Sequence, residues 1–368
     1  MDAKNDLIPA NMKVLHIDMG KEWRGGQRQC SLLHRGLINR GYDSVLLCNN
    51  NGALANFDFD GVIKMSFGSE INPLNVLKLR NIIKKEAPAI VHSHEAHSLT
   101  PLVILKHLGL NFHLVHTRRV DFSINKNPLS VHKYNYSKLN LVAISQGVKK
   151  ALVNGGVSPD RIKVVYSGVP LPITPAKEDI EKTKTELSLQ GYLTFGTVAN
   201  FSPHKDLPTL LKAYALYRKT DDKCKLLMVG DGPLFEATKK QAEALNISDS
   251  VIFTGFRTDV ALLMSCMDVF MVSSVLEGLN TSIIDAMHIG LPIISTNTGG
   301  IGELVEDSIN GLLVPPQESC IMAEKMKILA SANIVRAQYG ANGKEKALRF
   351  TDNSMIEGYI NLYNGDLL

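Results

Sequence analysis

Residues 272–287 read V-S-S-V-L-E-G-L-N-T-S-I-I-D-A-M. An apolar run ending at Val272, a short glycine-containing loop, and then Ile283, Ile284 and Met287 at helical spacing predict a strand end, a turn and a helix. Glu277 falls in the loop and Asp285 eight residues on, within the helix, a little over two turns of ~3.6 residues away. The first backbone N–H groups of such a helix, around Asn280, Thr281 and Ser282, have no partner inside it and form a natural site for an anion such as a diphosphate. Acids on either side of that site suit the hydroxyls at the two ends of an elongated ligand, because carboxylates accept charge-assisted hydrogen bonds.

The same alternation extends outward from this stretch. Downstream lies a predicted strand at Pro292–Thr296. Upstream lie strands at Leu193–Val198, Lys225–Val229, Val251–Thr254 and Val269–Val272, with helices at Leu207–Arg218 and Leu234–Leu245. A matching series fills the first half: strands at Val14–Asp18, Ser44–Cys48, Ala89–Ser93, Phe112–Thr117, Leu141–Ile144 and Ile162–Val165, and helices at Gln27–Asn39 and Asn72–Glu86. Ser145 is placed to cap a further helix. Alternating strands and helices imply parallel sheets, so the fold class is α/β with two Rossmann-like doubly wound domains facing a cleft. Between the two series, residues 168–184 carry Pro170, Pro172 and Pro175 and are expected to form a linker. Near the end, Met355, Tyr359, Leu362 and Tyr363 share one helical face that needs a surface to cover it.

The length of 368 residues suits two domains. No run of residues has the length and apolarity of a membrane span or a signal-peptide core, and Cys30, Cys48, Cys224, Cys266 and Cys320 are scattered without CxxC spacing. A cytoplasmic protein with reduced thiols is the expectation. Residues 1–170 hold 22 basic and 12 acidic side chains, a net +10, whereas the remainder carries −6. The cations lack the aromatic interleaving of a nucleic-acid platform, so nucleic acid is not an expected partner. An anionic acceptor or an anionic membrane surface met by the basic first domain fits better, with the stretch 126–138, including Lys133, Tyr134 and Tyr136, as one contact.

The acids at 277 and 285, followed by Ala286, Met287, Gly290 and Pro292, resemble the signature of the family-4 glycosyltransferases, the group 1 type with the GT-B fold. Asp285 stands where Glu is commoner. The resemblance implies a retaining enzyme that moves a sugar from a nucleotide-sugar donor to a hydroxyl. Glu277 would hold the donor sugar and Asp285 the ribose, with the diphosphate at the N–H groups of Asn280, Thr281 and Ser282 and with Gly278 and Leu279 also among the donor-binding residues. In the segment Gly196–Asp206, Lys205 matches the family lysine that neutralises the leaving diphosphate, while Asn200 occupies the usual Arg position and Arg24 is a candidate replacement. The turns around Gly232 and Thr254–Phe256 match donor-side positions, with Phe256 and Arg257 beside the base. Thr298, Gly299, Gly300 and Glu303 resemble a later loop whose role is close backbone packing. Gly25 and Gly26 match a pair that approaches donor phosphate or acceptor.

His116 matches an active-site histidine near the reacting sugar, and His94 a second residue of the cleft. Trp23, Arg24, His94, Arg118 and Arg119 form the implied acceptor set. The resemblance implies no cofactor and no metal. It divides the chain into an acceptor-binding domain, residues 1–170 joined by the helix of residues 351–368 crossing back to it, and a nucleotide-sugar-binding domain, residues 171–350. Bacterial relatives of this type extend lipopolysaccharide, capsule and other cell-surface polysaccharide on membrane lipids, which implies a glycan or glycolipid acceptor and a place on the inner face of the cytoplasmic membrane. A nicotinamide oxidoreductase is disfavoured because neither strand-end loop supplies G-x-G-x-x-G. A non-catalytic sugar-nucleotide-binding protein and a sugar-nucleotide epimerase remain as alternatives.

Overall fold

The computed structural model describes residues 12–70, 72–122, 124, 128–365 and 367. The chain divides into two compact units, Met1–Gly168 with Asp352–Leu368, and Val169–Thr351. The division falls two residues before the expected 170/171 boundary, and the return point one residue after the expected 351.

Within the described residues of the first unit, seven parallel strands lie in the order β3-β2-β1-β4-β5-β6-β7. They are β1 (Val14–Asp18), β2 (Ser44–Asn49), β3 (Val62–Met65), β4 (Ile90–Ser93), β5 (His113–Arg118), β6 (Leu139–Ala143) and β7 (Ile162–Val164). Helices α1 (Gly25–Ile38), α2 (Pro73–Glu86), α3 (Ala96–His107), α4 (Pro128–Tyr134) and α5 (Gln146–Asn154) connect them. Local signals set several boundaries. Asn72 accepts from the Leu74 N–H with Pro73 in the first turn, Ala87 closes α2 in the left-handed region, and Ser145 accepts from the Val148 N–H as α5 begins.

The C-terminal helix, Asp352–Asn364, completes this unit's core. Met355, Ile356, Tyr359, Ile360, Leu362 and Tyr363 pack with Leu33 and Leu37 of α1 and with the strand residues Val14, Ile90, Val115 and Val142. The approach is close at Gly36, where a Cβ would stand 2.2 Å from the Ile356 Cδ1. Polar contacts reinforce it: Arg40 donates to Glu357 and Asn353, and Tyr363 and Tyr359 meet His92 and Thr117.

In the second unit the described strands form a six-stranded parallel sheet, order β10-β9-β8-β11-β12-β13. They are β8 (Leu193–Val198), β9 (Cys224–Val229), β10 (Val251–Phe253), β11 (Val269–Val272), β12 (Ile293–Thr296) and β13 (Gly311–Val314). Its helices are α6 (Lys177–Glu186), α7 (Leu207–Arg218), α8 (Phe235–Ala244), α9 (Val260–Ser265), α10 (Thr281–Ile289), α11 (Ile301–Leu304), α12 (Ser319–Ser331) and α13 (Asn333–Ala347), leaving the C-terminal helix as α14. The expected linker is corrected here. Its prolines end at Pro175, and residues 177–186 form α6, which packs against α9. Around α7 and α12 a core of Phe195, Tyr214, Tyr217, Met228, Met322 and Met326 is closed to solvent.

In both sheets the strand order reverses after the first strand, between β1 and β4 and between β8 and β11. Connections leaving the two central strands run to opposite faces, so the loops at their carboxyl ends part and leave a crevice. Lys205 follows β8, and Glu277 follows β11.

Candidate active site

Five strand-end loops of the second unit, those after β8, β9, β10, β11 and β12, are fastened into one frame. Ala199 and Phe201 donate from their N–H groups to Val229 and Asp231, Leu234 donates to Phe201, and Gly230 to Gly255. Gly230 allows this closeness, since it has φ +128° and a Cβ there would lie 1.9 Å from the Ala199 carbonyl oxygen. On the other side, Ser273 Oγ donates to the Lys205 carbonyl at 2.8 Å, and the Val275 N–H to the His204 carbonyl at 2.8 Å. Thr296 and Thr298 hydroxyls donate to the carbonyls of Ser274 and Val275, and the Gly300 N–H to that of Glu277. The loop of Thr298, Gly299 and Gly300 therefore packs against the backbone that carries Glu277.

Within the frame, the Lys205 ammonium donates to Glu277 Oε1. The same oxygen accepts from Ser274 Oγ at 2.8 Å and Asn280 Nδ2 at 2.9 Å. Both members of the pair are mostly buried, with side chains 18% and 10% exposed. Burying a carboxylate among three donors offsets its desolvation and fixes its rotamer. Asn280 also caps α10, its Oδ1 accepting from the Ile283 N–H, and Gly290 ends the helix in the left-handed region. Gly278 and Leu279 are buried beneath the helix start, Thr281 and Ser282 are half-buried on its first turn, and Asp285 is half-buried a turn further on. Asn200 is half-buried and its Oδ1 has no hydrogen-bond partner among the described residues. Gly232 lies in the loop held against Phe201. Phe256 is 65% exposed, and the Arg257 fork grips Asp259 at 2.8 and 2.6 Å. That ion pair raises the arginine pKa and lowers that of Asp259.

In the first unit the expected acceptor residues occupy varied settings. Gly25 and Gly26 open α1, and the Arg24 N–H donates to Gln27 Oε1. The Arg24 guanidinium pairs with Glu22 at 2.6 Å on the surface. Trp23 stacks on Phe57 with ring centroids 4.4 Å apart and packs on a small cluster around Cys30 and Leu46, so one ring face is used in packing. Arg118 is spent on the Tyr134 hydroxyl and the carbonyls of Val120 and Phe122. The expected contact over 126–138 falls on residues in varied settings, with Tyr136 half-buried and Lys138 exposed. Tyr134 is buried and the Lys133 ammonium donates to Ala96 and Thr100; Lys126 lies outside the described residues.

Beneath these lies a cluster that no sequence spacing announced. Parallel pairing of β1 with β4 sets His16 opposite His92, and His94 follows two residues on. Among the described residues, these three imidazoles bring ligand-type nitrogens within 4.8 Å of one another. Their hydrogen bonds define a relay. Arg119 Nη2 donates to His94 Nδ1 at 2.9 Å, which places the proton of a neutral His94 on Nε2. His94 Nε2 then donates to His16 Nδ1 at 2.9 Å, leaving the His16 proton on a buried Nε2 that has no partner. The two nitrogens of His92 meet Tyr363 and Thr117. With five of the six ring nitrogens engaged and a guanidinium alongside, the triad is built as a hydrogen-bond network. His94, expected on the acceptor side, is 2% exposed and holds the Arg119 guanidinium. His116 is also buried; its Nδ1 meets Ser93 Oγ at 3.0 Å and its Nε2 is unpartnered. Burial holds His16, His92, His94 and His116 well below the ordinary histidine pKa, and raises that of Asp18, which accepts from Gln27 and Gly20.

Residues 23–171 match the model of Glycosyltransferase Family 4, and residues 179–346 that of Glycosyl transferases group 1. The chain belongs to the group 1, family-4 glycosyltransferases. This glycosyltransferase is 28% identical over 166 residues to the putative glycosyltransferase EpsD of Bacillus subtilis, 45% of its own length and 44% of that of EpsD. It is 24% identical over 327 residues to the Escherichia coli UDP-Gal:alpha-D-GlcNAc-diphosphoundecaprenol alpha-1,3-galactosyltransferase, covering 83% of this chain and 84% of the relative. The chain spans less than half the length of three of the curated relatives it matches, EpsD included. The crystal structure of Anabaena HepE in complex with UDP and glucose superposes with a TM-score of 0.87 at 22% identity, covering 97% of this glycosyltransferase and all of that chain. The fold is GT-B.

Proposed function

We propose that this glycosyltransferase moves a sugar, with retention of anomeric configuration, from a nucleotide-sugar donor to a hydroxyl of a glycan or glycolipid in cell-surface polysaccharide or lipopolysaccharide synthesis. The observation that carries the reading is the Lys205–Glu277–Asn280 constellation at the point of strand-order reversal, directly before the start of α10. Complexes of HepE with UDP and glucose support a nucleotide sugar as donor, and the E. coli relative's name supports a lipid-linked acceptor.

In this reading Glu277, held by Ser274 and Asn280, receives the donor sugar's hydroxyls. Lys205 and the open N–H groups of Thr281 and Ser282 meet the diphosphate, and Asp285 takes the ribose. Gly232, Asn200, Phe256 and Arg257 border the nucleotide, with Gly25 and Gly26 at the phosphate. His116 offers its unpartnered Nε2 to the reacting sugar. On the acceptor side stand Trp23, Arg24, Arg118 and Arg119, the last steadied by His94. The bond from the anomeric carbon to the phosphate oxygen breaks while a bond to the acceptor oxygen forms on the same face. The acceptor proton passes to the departing phosphate. Fixed cationic and N–H groups aimed at the developing phosphate charge supply the electrostatic stabilisation. No resident metal or cofactor enters the proposal.

A thermal-shift screen against sugar nucleotides tests the donor. A donor at about a hundred times its dissociation constant should stabilise by roughly 2.7 kcal/mol. Absence of a shift with every common uridine, guanosine, adenosine and cytidine donor would remove the reading, and the anomeric configuration of the product, read by NMR, decides retention. For Asp285→Ala we expect the donor KM to rise about ten- to hundredfold, the worth of a hydrogen bond to a charged group, with turnover less affected. Unchanged donor affinity would dissociate Asp285 from the ribose.

A further inference from the structure

The ion pair in the second unit's site joins two groups that a donor has to meet separately. Glu277 Oε1 accepts from the Lys205 ammonium, from Ser274 Oγ at 2.8 Å and from Asn280 Nδ2 at 2.9 Å. A carboxylate oxygen offers about two lone-pair directions, so three donors oversubscribe it. The three are not equally free to leave. Asn280 is fixed at both ends of its amide, since its Oδ1 also caps α10 at the Ile283 N–H. Ser274 has a short side chain, and its carbonyl is held by Thr296 Oγ1 at 2.6 Å. Lys205 reaches the carboxylate on a flexible four-carbon stem and is the donor able to swing away. Beside the pair lies a cavity of about 10 Å³, lined in part by Thr197, Lys205, Ser273, Ser274 and Asn280. It has room for one water at most, so the two charges are weakly screened.

We infer that the Lys205–Glu277 pair is a self-blocking contact, one that weakens binding of a bare nucleoside diphosphate and is relieved by the sugar of the intact donor. The inference rests on the proposed donor reading, in which Lys205 meets the diphosphate and Glu277 the sugar. One ammonium cannot serve a carboxylate and a phosphate at full strength, and a carboxylate deprived of its cation repels the phosphate. With the intact donor both groups find new partners. A sugar hydroxyl donates to Oε1 in place of the lysine, and the ammonium turns to the phosphate. With a nucleoside diphosphate alone only the second exchange is open, and Glu277 keeps its burial without its cation or a hydroxyl to replace it. Sugar and diphosphate therefore bind with positive coupling, equal in both directions by linkage. The same asymmetry favours product release. As the sugar leaves, the carboxylate recaptures Lys205 and the diphosphate loses its cation. Glu277 thus discriminates donor from product in addition to holding the sugar.

Isothermal titration calorimetry of the full chain tests it, with UDP, GDP, ADP and CDP and with their glucose, galactose, mannose and N-acetylglucosamine conjugates. In Glu277→Gln the amide oxygen can keep the bonds from Ser274 and Asn280 while Lys205 is released. That variant should bind the nucleoside diphosphate about tenfold tighter than wild type and the conjugate about tenfold weaker, each the order of one hydrogen bond to a charged group. Glu277→Ala removes the carboxylate with its burial and should tighten the nucleoside diphosphate likewise, which keeps the test open if the glutamine variant folds poorly. Asp285→Asn should weaken both ligands alike, because the ribose is common to them. The inference fails, and the donor reading stands, if neither Glu277 variant binds the nucleoside diphosphate tighter than wild type does. It fails equally if Asp285→Asn tightens that ligand as much, the mark of a general charge effect. Failure of wild type and variants alike to bind any of these nucleotides would overturn the proposed function and this inference with it.

Discussion

Lys205→Ala is expected to lower turnover with the true donor and acceptor by about 10²–10³-fold, the usual effect of removing one preorganised electrostatic donor from a reacting centre. The donor KM should change less, because charge on the leaving phosphate grows toward the transition state. The substitution also takes the Lys205 cation from the buried Glu277 carboxylate, which keeps its bonds from Ser274 and Asn280. Removing one partner of a buried pair costs about 3–5 kcal/mol, and two remaining donors should reduce that cost here. Two controls separate catalysis from folding. Lys205→Ala combined with Glu277→Gln should recover much of the stability and none of the turnover. Lys205→Arg should keep the fold with partial activity. Near-wild-type turnover by Lys205→Ala would remove the lysine from the reaction.

The first unit should lose stability steeply on mild acidification. Buried His16, His92, His94 and His116 have folded pKa values well below the ordinary 6.5, with burial the largest cause in each. Such a group takes up its proton first in the unfolded chain. Its stabilisation is complete above about pH 6.5 and drains as pH falls toward the folded pKa. Each such histidine contributes a slope of about 1.4 kcal/mol per pH unit, so four give at most about 5 kcal/mol per unit. Against a typical total of about 5–15 kcal/mol, that places acid unfolding about one to three units below pH 6.5. Asp18 and Glu95, whose pKa values burial raises, act in the opposite sense at lower pH and shallow the curve. Urea titrations from pH 7.5 to 5 measure the slope, and His116→Asn should reduce it by about one histidine's share. A flat profile across that window would contradict the buried neutral network.

The site of the second unit was legible because its chemistry sits at strand ends, where short apolar runs stop at polar or glycine residues. Glu277, Asn280 and Lys205 lie in such loops, and the doubly wound order brings two distant loops together. Other elements carry no comparable signal. β3 is a short edge strand with a half-exposed pattern. α3 holds Pro101 and is apolar on several sides, so no amphipathic stripe marks it. α6 follows a proline cluster that reads as linker. The histidine network is hidden for a different reason: His16 and His92 are 76 positions apart and meet only through strand pairing. Likewise, the hydroxyls of Ser273, Ser274, Thr296 and Thr298 look like ordinary strand-end polarity until their carbonyl and carboxylate partners are seen.

The packing of α14 on α1 also governs how the chain is made. Met355, Ile356, Tyr359 and Tyr363 cover strand and helix residues that are translated long before them. Until α14 appears, the first sheet has an uncovered apolar side and His92 and Thr117 lack their tyrosine partners. The second unit, continuous in sequence from Val169 to Thr351, can complete its core while the first still waits. Synthesis therefore finishes the later half first. Released chains truncated after Thr351 should present a protease-resistant second unit joined to a chaperone-dependent first one.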